Sequence, residues 1–390
     1  MFLLILVLLQ LSLIFAIYNI LDDQYKNQFI IGSIIFCLLE IRLIGTFLDH
    51  EAERVVNQLY ERHGDIDKNM SNTSYNPYDP EAQQYVYKKQ LIAGFGNTQL
   101  GKESLKGVIK SAEPVGPIVY NSSGIPTFAK KNNTAIVIIH GFTQSPNIFR
   151  DLIAHLEKTY NADIHAPLLK YHGRDLRSFS QMNTENIKSE LIKYFSHPHF
   201  KSYSKIIIIG HSFGAALVTS LIPHLDHIKL PIKQLILYAP AFYSFLAESY
   251  TLNNTQLNLL SIFFRQYFNY AFLGGDWNAD RISDVSTFYI FDEADSSLRY
   301  NSTNAIRELM NFDINNRNMI AQIPSTYNVD LIMPKNDERI NASKIISEFG
   351  KLPNVNIHSD EEIDQGTPNL HLKNSKAFYS LIDSIVRPII

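Results

Sequence analysis

The chain has 390 residues, 45% of them hydrophobic and 19% charged, a balance that excludes a disordered polypeptide and leaves ample material for a core. Its formal net charge of -3 supplies no basic field for a phosphate backbone, so no nucleic-acid partner is expected. The single cysteine, Cys37, excludes an intramolecular disulfide, a cysteine-based zinc site and a Cys-x-x-Cys redox pair.

The N-terminus reads as a membrane device. Residues Phe2 to Leu21 (FLLILVLLQLSLIFAIYNIL) are broken only by Gln10, Ser12 and Asn19; as a helix they would rise about 30 Å, enough to cross a bilayer. No Lys or Arg precedes them and no Ala-x-Ala pattern follows, which disfavours a cleaved signal peptide. A second apolar run, Phe29 to Leu48, follows a polar link, DDQYKNQ, and carries Glu40 and Arg42. Charges in a span are costly unless they reach the headgroups. The pattern predicts a helical hairpin, with an interfacial second helix as the alternative. Arg54 and Arg62, just beyond the second run, then favour a cytoplasmic side for the remainder of the chain.

The expected organisation is an anchor over residues 1–48, an amphipathic segment and linker over 49–90, and a catalytic-type domain over 91–390. In the linker, Val55, Val56 and Leu59 share one side of a helical stretch, and NMSNTSYNPYDPEAQ is rich in turn formers.

Beyond it, short apolar runs alternate with helical patterns. The runs are Thr134 to His140, Ala162 to Pro167, Lys205 to Gly210, Gln234 to Ala239, Val329 to Met333 and Val355 to His358. Continuous rather than alternating hydrophobicity suits strands buried on both faces. Between them, Ile148, Leu152, Ile153 and Leu156 recur at helical spacing, and Phe213 to Leu225 suits a crossover helix. The class is therefore α/β, with a mainly parallel sheet and flanking helices.

Gly210-His211-Ser212-Phe213-Gly214 matches G-x-S-x-G between a strand and a helix, the setting of a nucleophile elbow. The sharp turn leaves the serine projecting above the sheet, and the glycines let neighbouring backbone pass. Ser212 is the expected nucleophile. Such a serine is followed in chain order by an orienting acid after a late strand and by a histidine base after the last strand. VDLIMPKNDERI supplies Asp337, and DQGTPNLHLKNSKAFYSLIDSIV supplies His371 before a closing amphipathic helix. Asp330 lies inside its strand, Glu338 is one residue along, and His358 stands before the expected loop; Asp360 and Asp364 are fallback acids. The oxyanion donors are expected to be the backbone N–H groups of Phe213, after the nucleophile, and Phe142, after the early strand and Gly141. His140, the pair His197 and His199, and the pair His224 and His227 are read as structural, since no carboxylates complete a metal site around them. Neither metal nor cofactor is called for by this chemistry.

With these residues in place the chain resembles the α/β-hydrolase superfamily, in particular bacterial carboxylesterases and monoacylglycerol-lipase-like enzymes of the serine-aminopeptidase type. HGFTQSPNIFRDL resembles that branch's oxyanion loop, HAPLLKYHGRD its strand end before a Gly-His-Gly turn, and IPSTYNVDLIMPKND the strand leading to the acid. Tyr171 replaces the first glycine of that turn, and Pro334-Lys335 stand where a glycine commonly precedes the acid. The resemblance implies an α/β-hydrolase fold with a cap insertion, here about residues 242–323 and rich in aromatic side chains. An anchor beside such a cap implies a lipid-like acyl ester, such as a monoacylglycerol or lysophospholipid, cleaved through an acyl-enzyme. The alternatives are an amidase or aminopeptidase, with Asp292, Glu293 and Asp295 candidates to hold an amino terminus, an acyltransferase with the same triad, and a membrane-tethered binding module with a silent elbow. Dehalogenase chemistry is disfavoured because the nucleophile position is Ser rather than Asp.

Overall fold

The computed structural model describes residues 17–63, 118–120, 126–128, 131–142, 146–172, 181–244, 303–334, 340–359 and 375–390, with Ile14, Gln144, Phe179 and Asp337. The N-terminal residues up to Arg54 and the α/β domain belong to separate compact units.

Helix α1, Asp23–His63, is 41 residues long, and its stretch Asp23–Phe47 is long and apolar enough to cross a membrane. Its 25 residues rise about 37 Å, more than the hydrocarbon core of about 30 Å. Ile31, Ile35, Leu43 and Phe47 are all exposed along it. The expected polar link is helical from Asp23 onward, leaving only Leu21 and Asp22 outside helix. DDQYKNQ holds no Pro or Gly, Asp23 lies in the first turn where a carboxylate favours helix, and Lys26 Nζ donates to Asp23 at 2.6 Å. At its far end α1 runs through position 48 to His63, so the second apolar run and the helical stretch after it are one helix. The first apolar run is helical over residues 17–20; its residues 1–13 lie outside the described residues.

The α/β domain holds an antiparallel pair, β1 (Ile118–Tyr120) and β2 (Pro126–Phe128), which no sequence pattern announced. Its core is a six-stranded sheet of β3 (Thr134–Ile139), β4 (Ala162–His165), β5 (Lys205–His211), β6 (Ile232–Tyr238), β7 (Asn328–Ile332) and β8 (Val355–His358). The order is β4-β3-β5-β6-β7-β8, and every pairing is parallel. Each strand coincides with one of the expected apolar runs. Every residue of β3 is buried, the condition that continuous hydrophobicity signals.

The described crossover helices are α2 (Arg150–Thr159), α3 (Thr184–Ser196), α4 (Pro198–Lys201), α5 (Phe213–His227), α6 (Thr303–Asn316) and α7 (Ala342–Phe349), and α8 (Ser375–Val386) follows the last strand. A 3-10 turn, Pro146–Phe149, precedes α2, proline's fixed φ suiting a helical start. Another, Arg317–Gln322, follows α6. Helix α5 is buried along most of its length against the sheet. Within the expected cap, residues 245–302 lie outside the described residues. The chain passes from β3 outward to β4 and returns to β5 on the other side of β3, so the crossover direction reverses between β3 and β5. In open α/β sheets that reversal opens a crevice at the carboxyl ends of the strands, where ligands bind.

Candidate active site

Ser212 stands at that crevice, between β5 and α5, with φ 51 and ψ -118. Such a backbone costs a non-glycine residue about 1 to 3 kcal/mol and persists only where its surroundings over-determine it. Three hydrogen bonds do so. The Ser212 N–H donates to the Tyr238 carbonyl at 2.8 Å, and the Ser212 carbonyl accepts from Ala216 N–H at 3.1 Å and Ala241 N–H at 3.0 Å. The flanking glycines make the corner possible by close approach: a Cβ on Gly210 would lie 2.6 Å from Ala215 Cα, and one on Gly214 would strike the carbonyls of Ile139 and His140. Phe213 is the first residue of α5, so its N–H has no intrahelical acceptor and lies at the helix's positive end.

The loop after β3 meets this corner. A Cβ on Gly141 would lie 3.2 Å from Ser212 Cβ, and the next residue is Phe142, the expected second oxyanion donor. Its ring leans on Phe179 at 5.1 Å and meets Phe213 edge-on at 6.3 Å. His140 is wholly committed to backbone: Nε2 accepts from Leu169 N–H at 3.0 Å and Nδ1 donates to the Gly141 carbonyl at 3.0 Å. Burial, reinforced by His172, holds its pKa well below the usual imidazole value. His172 is buried against the Phe213 and Phe179 rings, donates from Nδ1 to the Lys170 carbonyl at 2.9 Å, and is pushed down to about 4 by burial. Tyr171 beside it has φ 70. The left-handed backbone explains why a glycine is usual at that turn; here a tyrosine adopts it, and its hydroxyl accepts from Asn186 Nδ2 at 3.0 Å.

Asp337 is buried in the loop after β7, where Oδ1 accepts from Ile340 N–H at 3.1 Å. His371, Asp360, Asp364 and Glu338 lie outside the described residues, as do Asp292, Glu293 and Asp295. Asp330 and His358 engage each other: Asp330 Oδ1 accepts from His358 Nε2 at 2.6 Å, and Oδ2 accepts from Gln234 Nε2. His199 and His165 both reach the Tyr203 hydroxyl at 3.0 Å, while that hydroxyl donates to Asp163 at 2.8 Å. His224 pairs with Ser196. Among the described residues no group of three or more His, Cys, Asp or Glu side chains is arranged to hold a metal ion.

Two residues of this region carried no sequence signal. Gln144 lies within the HGFTQSP stretch and ties the β3 loop to His211. Asp313, fully buried on α6, accepts from the N–H groups of Tyr243 and Ser244, both at 2.9 Å, and takes a two-pronged ion pair from Arg317. Neither belongs to a spaced motif, because each binds at least one group far from it in sequence: Gln144 reaches His211 and Asp313 reaches Tyr243 and Ser244.

Residues 134–325 match the family model described as the alpha/beta hydrolase fold, and the matched span runs from β3 to the foot of β7 and includes Ser212. The α/β domain has the α/β-hydrolase fold. No curated protein sequence matches the chain. Solved structures similar to this hydrolase domain include one from a study of LipS and LipT, metagenome-derived lipolytic enzymes, 15% identical over 69% of this chain and 98% of that one, with a TM-score of 0.45. A lipase-esterase related protein from Clostridium acetobutylicum is 16% identical over 70% of this chain and 99% of that one, TM-score 0.42. A haloalkane dehalogenase, DatA, from Agrobacterium tumefaciens is 12% identical over 70% and 97%, TM-score 0.45. In the α/β-hydrolase fold the corner held by Ser212 is the nucleophile position.

Proposed function

We propose that the protein is a membrane-anchored serine hydrolase that cleaves acyl esters of lipid-like character. The observation that carries this reading is the strained backbone of Ser212, pinned by three hydrogen bonds at the mouth of the sheet's crevice. Strain of that kind on a residue with a nucleophilic side chain has no packing purpose, and the same corner would hold a glycine at lower cost.

Ser212 Oγ attacks the ester carbonyl while His371 takes its proton, and Asp337 holds the imidazole in the productive tautomer and balances its charge. The N–H groups of Phe142 and Phe213 receive the oxyanion of the tetrahedral intermediate. Its collapse expels the alcohol, which leaves with the proton from His371, and an acyl-Ser212 ester remains. Water, activated by the same histidine, then releases the acid. The apolar character of α1 and the aromatic insertion over residues 242–323 support a substrate that partitions into lipid, such as a monoacylglycerol or a lysophospholipid. The division into anchor, linker and capped hydrolase domain belongs to the same proposal, with the anchor helix extended to His63.

The test compares the full-length protein in detergent with its Ser212→Ala variant on esters of increasing acyl length, with an aminoacyl amide alongside. Loss of the nucleophile is expected to remove about six decades of kcat, with longer acyl chains preferred. Cleavage of the amide ahead of every ester would move the assignment to an amidase, and ester cleavage that survives in the variant would overturn it.

A further inference from the structure

The β3 loop and the nucleophile elbow, which carry the two oxyanion donors, are joined by one side-chain atom. Gln144 is buried, and its Oε1 lies 2.9 Å from Gly141 N and 2.9 Å from His211 Nδ1. A backbone N–H can only donate, so the shared atom is the amide oxygen; an amide oxygen can only accept, so His211 carries its proton on Nδ1. Gly141 immediately precedes Phe142, and His211 immediately precedes Ser212. The bridge therefore ties the residue before one oxyanion donor to the residue before the nucleophile.

Both ends of the bridge are held. Gln144 N–H returns to the Gly141 carbonyl at 3.3 Å and closes a tight turn, and His140 Nδ1 donates to the same carbonyl at 3.0 Å. His211 stacks on Tyr238 with ring centroids 4.8 Å apart and meets Phe149 edge-on at 5.8 Å. The fit leaves no slack: a Cβ on Gly141 would come within 2.7 Å of the Gln144 oxygen.

We infer that Gln144 is a positioning residue for the reaction proposed above, fixing the spacing between the Phe142 and Phe213 N–H groups; the inference rests on that reading of Ser212. An oxyanion hole works because its donors are already aimed where charge develops. With the bridging oxygen gone, the loop loses its side-chain hydrogen bond to His211 of the elbow, and the aim of the Phe142 N–H is less tightly fixed. The effect is expected on the transition state rather than on ground-state binding, since Gln144 and His211 are both buried.

Two variants separate this from a bulk structural role. Gln144→Met keeps the volume and removes the amide acceptor; kcat on the best ester is expected to fall about 10- to 100-fold, less than the 10²- to 10³-fold typical of deleting a donor outright, with KM within about threefold. Gln144→Glu keeps an acceptor oxygen at the same reach and is expected to restore most of kcat. Wild-type kcat in Gln144→Met, beside an inactive Ser212→Ala, overturns the inference and leaves the nucleophile assignment standing. A change in KM alone also overturns it, by moving Gln144 to substrate binding. Hydrolysis that persists in Ser212→Ala overturns the underlying reading instead. If Gln144→Met does not fold, long-range proton-nitrogen NMR on the wild-type protein decides: His211 protonated on Nδ1 supports the bridge, and protonation on Nε2 overturns it.

Discussion

Backbone strain in this domain is concentrated in side-chain-bearing residues at loop corners. Tyr171, Ser212, Ala239 and Tyr243 all have positive φ, each at a cost that local bonding must offset. At Ser212 the offset is the triple hydrogen bond to β6, α5 and Ala241. At Tyr243 it is Asp313, which receives the tyrosine N–H at 2.9 Å while Arg317 covers the ring at 4.4 Å. Asp337 differs in being read for chemistry: it is buried, and Oδ1 accepts one backbone N–H. If it orients His371, Asp337→Asn leaves the fold intact and lowers kcat about 10⁴-fold by favouring the wrong imidazole tautomer. Steady-state kinetics on the preferred ester beside a thermal melt checks this, and near-normal turnover would transfer the role to Asp360 or Asp364. Asp330 and His358, the residues that competed for these roles on sequence grounds, are bound to each other across β7 and β8, a pairing invisible to any spacing argument.

Elements were legible where one period dominates. The six sheet strands were readable because each is a short apolar run, buried on both faces in β3 and β4 and edge-exposed only in β8, and α5 because an apolar crossover must follow a buried parallel strand. The polar link is helical from Asp23 onward because polarity is not irregularity; a polar segment without Gly or Pro loses little by staying helical. The β1 and β2 hairpin was missed because three-residue strands carry too few positions to show alternation. Asp313 joins elements across the expected insertion, pinning Tyr243 and Ser244 at its start to α6 near its end. Removing that carboxylate takes away the acceptor of two backbone N–H groups and the ion-pair partner of a partly buried guanidinium, so Asp313→Ala is expected to cost about 3 kcal/mol or more. Urea denaturation of the two proteins measures it; a loss under about 1 kcal/mol would mean that water replaces the carboxylate.

At the scale of the α/β domain, burial holds three histidines below the usual imidazole pKa and makes stability depend on pH. Burial lowers His165 to about 3 and His172 to about 4, and His140 well below 6.5. The unfolded chain takes up those protons near pH 6.5, so the stabilising contribution is whole above 6.5 and is lost as pH falls toward the folded values. Each group contributes a slope of up to about 1.4 kcal/mol per pH unit. Thermal melts are therefore expected to fall steadily from pH 6.5 to 5, above the range where unperturbed carboxylates titrate, and less steeply in His172→Gln; a flat profile would contradict the burial of these rings. The sequence by itself determined the sheet's strands, the elbow at Ser212 and the apolar N-terminus, because each is encoded in neighbours along the chain: short apolar runs, a five-residue corner, a long and mostly hydrophobic stretch. Only the tertiary structure decided which strands adjoin, that the crossover reversal falls between β3 and β5, and that Gln144, Asp313 and the Asp330 and His358 pair bind where they do. Those contacts join residues far apart in sequence or hold a loop whose shape its neighbours set, and a hydrogen bond made by folding leaves no period in the chain that makes it.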